Sequence, residues 1–191
     1  MTCRIAILIS GRGSNMEAII DHIARERADV EVTFVGADKP SAAGLQIAAD
    51  RKIKIAVFPY SQGRAAGEAE LEKLWQLNSV DYLVLAGFMR LISPEFVQRH
   101  RGKILNIHPA LLPNFPGAHA ISDFWASGEP VGGVTVHYVD EEMDHGPIIL
   151  QSEVARTPDD TIETFETKIH KTEHQLYWQA LKTIMNQEAH Q

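Results

Sequence analysis

With 191 residues, the chain is long enough for one domain with a sizeable core, and 45% hydrophobic and 23% charged residues are ordinary for a globular protein. The 18 basic and 25 acidic residues give a formal net charge of −7, which argues against a nucleic-acid partner because an acidic surface repels a phosphate backbone. Cys3 is the only cysteine, which excludes an intrachain disulfide and a cysteine-rich metal site. The apolar run IAILI near the start is too short for a signal peptide or a membrane span, so we expect a cytoplasmic protein without a membrane partner.

Strands alternate with helices over the first hundred residues. The apolar run RIAILIS (4–10) predicts a strand with both faces covered, and the spacing of apolar residues after the GRG turn predicts a helix. The Ser93-Pro94 pair is typical of a helix start, with serine as N-cap and proline at the first helical position. By the same patterns we predict further strands over 30–37, 54–58, 81–88 and 103–108, and helices over 41–51 and 68–77. This alternation favours an α/β fold with a Rossmann-like, doubly wound, mostly parallel sheet.

The pattern changes after residue 130. GGVTVHYV (132–139) alternates, and we expect PIILQSEV (147–154) to pair with it across the acidic loop DEEMDHG, as an antiparallel extension on one edge of the sheet. Asp160 and Glu163 have the spacing of a capping box, and apolar residues behind them predict a long C-terminal helix. The chain contains no repeat or evident linker, so we predict a single domain over residues 1–191.

A glycine-rich turn joins the first strand to the first helix, where α/β proteins bind phosphate on backbone N–H groups. Gly11 and Gly13 fit part of the dinucleotide fingerprint, but Met16 stands at its third glycine position and no P-loop ending follows. A turn capped by Ser14 with Glu17 completing a capping box is the simpler structural interpretation. Both can hold together, and we predict a phosphomonoester site here.

Polar side chains mark the end of the strand at 103–108. Asn106 and His108 are two residues apart, so they share a face of the strand just before prolines end it. An amide can donate to a developing oxyanion, a histidine can move a proton, and Asp144 could hold that histidine charged and oriented. His119 and His137 are further candidates in this cluster, but both residue patterns also fit ordinary half-buried or solvated histidines, and we interpret His137 in that way. No zinc-ligand spacing such as H-E-x-x-H occurs, so we expect no metal.

Four segments together resemble the phosphoribosylglycinamide formyltransferase family of folate-dependent enzymes in purine synthesis. They are ISGRGSN (9–15), LAGFMRLIS (85–93), LNIHPALLPNFPG (105–117) and DHGPII (144–149). The resemblance covers essentially the whole chain and implies a Rossmann-like α/β fold. It also implies that the part up to residue 100 carries the substrate-phosphate loop and that residues 101–191 carry the catalytic and folate-pocket side.

The resemblance implies formyl transfer from 10-formyltetrahydrofolate, a co-substrate, to the amine of 5′-phosphoribosylglycinamide in de novo purine (IMP) biosynthesis. Asn106 and His108 match the groups that stabilise the oxyanion of the tetrahedral intermediate, and Asp144 matches the carboxylate that assists that histidine. Both partners are thus small molecules. We expect a monomer or a homodimer.

The resemblance also implies binding residues for the two substrates. Those for the ribonucleotide are a phosphate loop and a carboxylate–histidine pair on the last helix: Gly13, Ser14, Asn15, His170 and Glu173. Those for the folate are a basic residue near its acidic tail, the MRLI segment, the loop 140–144 and Asn106, which also has the catalytic role. They are Arg64, Met89, Arg90, Leu91, Ile92, Asn106, Asp140 and Asp144. The segment 118–125 departs from the commonest family pattern, which bears on His119.

Four other functions are weaker interpretations. A tRNA formyltransferase would need an RNA-binding domain, for which an acidic chain of 191 residues leaves no room, and a formyltetrahydrofolate hydrolase would carry an N-terminal regulatory domain. A sugar formyltransferase would not need the GSN loop in this form. A non-catalytic nucleotide-binding module would have no use for Asn106, His108 and Asp144 together.

Overall fold

The computed structural model describes residues 2–188. Their strands are β1 (Cys3–Ile9), β2 (Val30–Ala37), β3 (Ile55–Val57), β4 (Tyr82–Leu85), β5 (Ile104–His108), β6 (Val131–Tyr138) and β7 (Ile148–Ala155). Their helices are α1 (Ser14–Glu26), α2 (Gly44–Asp50), α3 (Arg64–Leu77), α4 (Pro94–Arg99), α5 (Ala120–Ser127) and α6 (Ile162–Glu188), with a single 3-10 turn at Tyr60–Gln62. The chain divides into two compact units, residues 1–105 and 106–191.

The first unit is a parallel, doubly wound sheet. Its strand order is β3-β2-β1-β4, and the pairs β1–β2, β1–β4 and β2–β3 are all parallel. Crossovers between parallel strands are right-handed, so the helices between β1, β2 and β3 cover one face and α3 covers the other. The strand order therefore reverses between β1 and β4. Ligands of such sheets bind at this reversal, outside the carboxyl ends of the strands. Residues 5–9 of β1 are completely buried, as expected for a strand covered on both faces.

The second unit contains the antiparallel pair β6–β7 and the long helix α6. Strand β6 pairs with β7 from Val131↔Ala155 to His137↔Ile148, and β6 lies beside β5. Phe124 of α5 stacks on Phe165 of α6 with ring centroids 4.7 Å apart. Gly132 leaves room for these rings, since a Cβ there would lie 2.9 Å from Phe165. The parallel and antiparallel parts and the long last helix confirm the predicted fold class.

Several element boundaries differ from the prediction. Helix α3 begins at Arg64, four residues before the predicted start, and β4 ends at Leu85. Helix α5 was not predicted. The predicted capping box of α6 is wrong by one residue. The backbone N–H of Thr161 donates to the hydroxyl of Thr164, and the backbone N–H of Thr164 donates to the hydroxyl of Thr161. Asp160 instead accepts from Lys168. No helix in residues 2–188 is long and apolar enough to span a membrane.

Candidate active site

Asn106 and His108 lie at the end of β5 and reach one polar cluster, as the alternation predicted. Asn106 is half-buried, and its Nδ2 lies 3.4 Å from Nε2 of His137. His108 is buried, and its Nδ1 lies 3.5 Å from Oδ2 of Asp144. The other carboxylate oxygen of Asp144 is 3.8 Å from His137 Nε2. The four side chains thus form a continuous chain from Asn106 through His137 and Asp144 to His108.

Oxygen acceptors face both ring nitrogens of His108. Its Nε2 lies 2.8 Å from the carbonyl oxygen of Phe115, and its Nδ1 faces Asp144. A carbonyl oxygen only accepts, so Nε2 donates to it. In this arrangement each N–H group of an imidazolium would have an acceptor, which suits a residue that moves a proton next to a fixed carboxylate.

Two non-glycine residues in or beside the cluster have left-handed backbone. Phe115 has φ of 53° and Asp144 has φ of 55°. This conformation is uncommon outside glycine and is concentrated at functional sites, where the surrounding structure holds it. Oδ2 of Asp144 accepts a hydrogen bond from the Gly117 N–H at 2.8 Å. The loop after β5 and the loop after β6 therefore fix each other at this carboxylate.

A close backbone approach explains the glycine in the DHGP sequence. A Cβ on Gly146 would lie 1.9 Å from the carbonyl oxygen of Tyr138, so only glycine fits. The same loop carries Asp140, which accepts hydrogen bonds from the Glu142 N–H and from His145 Nδ1 at 3.0 and 3.1 Å. The loop 140–144 is therefore an ordered turn.

His137 is a member of the cluster, and its interpretation as an ordinary half-buried or solvated residue is wrong. It is 2% exposed, with Nδ1 2.8 Å from the carbonyl oxygen of Tyr138. Burial lowers the pKa of His137, against the opposing effects of the Tyr138 hydrogen bond and of Asp144. Strand alternation places its side chain on one face of β6, but only the three-dimensional structure shows that Asn106 lies opposite.

The glycine-rich turn differs from the predicted cap. Gly13, with φ of +76°, is the N-cap of α1, and Ser14 is already helical. No side chain caps this helix within the described residues, and Glu17 pairs with Arg51 at 3.0 Å. The predicted Ser14–Glu17 capping box is therefore wrong. The N-terminus of α1, at the carboxyl edge of the sheet, keeps backbone N–H groups and a partial positive charge directed outward, with Asn15 buried behind them.

The predicted folate segment 89–92 is fixed at both ends. The Met89 N–H donates to Ser10 Oγ at 2.8 Å. At the other end the N–H and the hydroxyl of Ser93 donate to the buried carboxylate of Glu68, at 2.7 and 2.5 Å. Met89 and Leu91 between these points are 75% and 62% exposed. A segment that is anchored at both ends and presents apolar side chains at the carboxyl edge of a sheet suits a flat apolar ligand.

The other predicted binding residues lie on defined elements. Arg90 Nε donates to the buried carboxylate of Asp38 at 2.7 Å. Arg64 begins α3 and lines a cavity of about 570 Å³ together with residues of α3 and α4. Ile92 is half-buried beside the exposed Leu91.

On α6, His170 and Glu173 form a pair one helical turn apart. His170 Nδ1 lies 3.0 Å from Oε2 of the buried Glu173. This hydrogen bond raises the pKa of His170, against the effect of burial. His119 is exposed at the start of α5, where its carbonyl accepts from Ser122 Oγ at 2.8 Å. In the described part of the chain no group of three or more histidine, cysteine or carboxylate side chains could hold a metal ion.

Comparisons with known proteins show which family the chain resembles. The model of the formyl transferase family matches residues 3–181. The phosphoribosylglycinamide formyltransferase of Bacillus subtilis is 41% identical over 184 residues, which cover 95% of this chain and 94% of that protein. The trifunctional purine biosynthetic protein adenosine-3 of Drosophila melanogaster is 41% identical over 96% of this chain, which spans 14% of that protein. The crystal structure of glycinamide ribonucleotide transformylase 1 from Geobacillus kaustophilus has a TM-score of 0.92 and 40% identity, covering 96% of this chain and 99% of that one.

The comparisons confirm the resemblance that the sequence motifs predicted. The likeness extends from β1 into α6, and the TM-score shows that the fold is shared along nearly the whole chain. This chain belongs to the formyl transferase family.

Proposed function

We propose that the chain transfers the formyl group of 10-formyltetrahydrofolate to the amine of 5′-phosphoribosylglycinamide. The observation that carries the proposal is the cluster at the end of β5, where an amide, two histidines and a carboxylate meet in a member of the formyl transferase family. Formyl transferases use formyl-folate as co-substrate, and the Bacillus subtilis relative, which matches 95% of this chain, bears the name of this reaction.

The chemistry needs an oxyanion donor and a proton carrier. The substrate amine attacks the formyl carbon, the C–N bond forms, and the carbonyl electron pair moves to oxygen. The N–H of Asn106 donates a hydrogen bond to this oxyanion. The hydrogen bond becomes stronger as the negative charge on the oxygen develops. The intermediate collapses when the electron pair returns, the bond to the folate nitrogen breaks, and the proton lost by the amine goes to that nitrogen. His108, paired with Asp144, provides the positive charge and the proton path.

Each binding region has a physical basis for its proposed ligand. The outward N–H groups at the start of α1, at Gly13 to Asn15, suit the phosphate. Met89, Leu91 and the segment that holds them suit the flat folate ring. Glu173 and His170 suit the ribose hydroxyls, since a carboxylate accepts from hydroxyl groups.

The test is a direct assay of both products. The purified chain is mixed with formyl-folate, with and without glycinamide ribonucleotide, and folate release is followed by absorbance while the formylated amine is measured by mass spectrometry. We expect folate release to require the amine and to match the formylated product one to one. Release without the amine would indicate hydrolysis, and no release with it would contradict the proposed substrate pair.

A further inference from the structure

The hydrogen-bond pattern of His137 defines its tautomer. Its Nδ1 lies 2.8 Å from the Tyr138 carbonyl oxygen, which only accepts, so Nδ1 carries the hydrogen. The side chain is buried, and burial lowers the pKa of His137, which favours the neutral ring with its lone pair on Nε2.

That lone pair faces the amide of Asn106. The distance from His137 Nε2 to Asn106 Nδ2 is 3.4 Å, so the amide nitrogen donates one of its two hydrogens to the ring. The second hydrogen stays available for another acceptor. A protonated His137 would instead present N–H at Nε2, and the amide would have to turn its oxygen towards the ring. The neutral ring therefore decides which end of the amide is held in place.

We infer that His137 is a positioning residue, whose neutral Nε2 holds the amide nitrogen of Asn106 as the donor to the reaction's oxyanion. The inference rests on the proposed function, because that function gives Asn106 its role. It adds a fourth side chain to the mechanism, one that acts through Asn106.

The charges around His137 determine when this arrangement holds. Asp144, with Oδ1 3.8 Å from Nε2, and Asp140 favour the protonated ring, while His108 and burial favour the neutral one. Burial has the largest effect. Acidification protonates the ring, which then donates to Asp144 and releases the amide of Asn106.

The tautomer can be measured without any substrate. Nitrogen NMR of the intact chain labelled at histidine, at pH 7, should show His137 with hydrogen on Nδ1 and a bare Nε2. The resonance is assigned by its loss in His137→Gln. A ring protonated on Nε2 would overturn the inference, whatever the reaction turns out to be.

Two variants test the positioning role in turnover. His137→Gln keeps an oxygen acceptor within reach of Asn106, whereas His137→Leu keeps the bulk and removes the acceptor. We expect the leucine variant to lose about 10-fold or more in kcat with both KM values nearly unchanged, and the glutamine variant to keep most of the activity. His22→Leu, on α1, is the control and should behave as the parent.

The outcomes separate this inference from the proposed function. Equal kcat for the leucine variant and the parent, or equal losses for leucine and glutamine, would show that the acceptor does not matter. If Asn106→Ala kept full turnover, the proposed role of Asn106 would fail and the inference with it. If the leucine variant does not fold, the NMR measurement and the glutamine variant decide.

Discussion

Asn106 offers the most direct test at the scale of single residues. Alanine removes the amide that we propose as oxyanion donor, and loss of one such donor costs on the order of 100- to 1000-fold in kcat. We expect Asn106→Ala to show this loss in steady-state turnover, while its thermal unfolding midpoint stays close to that of the parent. Asn114→Ala, at an exposed position of the loop after β5, should keep normal turnover. A folded Asn106→Ala with near-normal kcat would contradict the assignment.

Asp144 tests the charge rather than the shape of the cluster. In Asp144→Asn the remaining oxygen can still accept from the Gly117 N–H, but the negative charge beside His108 is lost. Proton transfer by positioned groups contributes on the order of 100- to 10,000-fold, so we expect a large fall in kcat with little change in KM. Stopped-flow single-turnover kinetics measures the chemical step directly. A variant with the parent's rate would show that Asp144 only orders the loops.

The start of α1 makes a prediction at the scale of elements. A Cβ on Gly13 would lie 3.1 Å from Met16 and 3.2 Å from the backbone of Gly44, and φ of +76° disfavours any side chain. We expect Gly13→Ala to raise the KM for glycinamide ribonucleotide while the KM for formyl-folate changes little. Gly102→Ala is a matched control, because it has φ of +73° but open space around it. If both variants lose affinity alike, backbone strain rather than the phosphate site explains the effect.

The contact between α3 and the start of α4 gives a second prediction at this scale. Ser93 Oγ accepts from the Phe96 N–H at 3.2 Å and donates to the buried Glu68. Ser93→Ala removes the cap and leaves one carboxylate oxygen without its hydroxyl partner, which should lower the free energy of unfolding by about 1–3 kcal/mol. Urea unfolding measures this change, and Ser93→Thr should recover most of it. We also expect a higher KM for formyl-folate, since Ser93 anchors the segment 89–92.

Periodicity predicted most elements, because buried strands and helices have apolar patterns that their own sequence carries. Element ends depend on single backbone conformations, which the pattern does not show. β4 stops at Leu85 because the chain turns at Gly87, with φ of +75°, although apolar residues continue. The start of α1 is capped by Gly13 rather than by the serine behind it.

In the site, too, the sequence predicted what depends on local pattern and did not predict what depends on contacts between distant segments. Asn106, His108 and Asp144 were predicted from residue type, spacing and family resemblance, and the structure brings them into one cluster. His137 was considered and interpreted as an ordinary residue, because its contact with Asn106 on the neighbouring strand is visible only in three dimensions. Helix α5 was missed because its pattern is short, although Phe124 and the left-handed Gly128 at its end were signals.

The pH dependence of folding is a prediction for the whole molecule. Glu72 accepts from Gln76, His100 and Arg99. Burial alone would raise its pKa, but these hydrogen bonds lower the pKa of Glu72 to about 2, from 4.5 in the unfolded chain. Between these values the unfolded state binds more protons, so this group's stabilisation is complete above about pH 4.5 and is lost as the pH falls towards 2.

We therefore expect the urea midpoint of the parent to fall between pH 5 and 3 more steeply than that of Glu72→Gln. Glu31→Gln, at an exposed surface pair, should follow the parent's slope. Identical slopes for Glu72→Gln and the parent would mean that other carboxylates govern acid unfolding.

The carboxylate of Asp144 limits how the loop between β6 and β7 can be engineered, because one of its oxygens serves two contacts. Asp144 Oδ2 holds the Gly117 N–H and faces His108, and Gly146 leaves no space for a side chain. A library that randomises the whole loop between β6 and β7 to change the preference for the formyl donor would mostly return inactive clones, because Asp144 is tied to the loop after β5 and to His108, and Gly146 is fixed by the close backbone of Tyr138. Diversity restricted to the exposed positions 141–143 would explore new donors while keeping the chemistry intact.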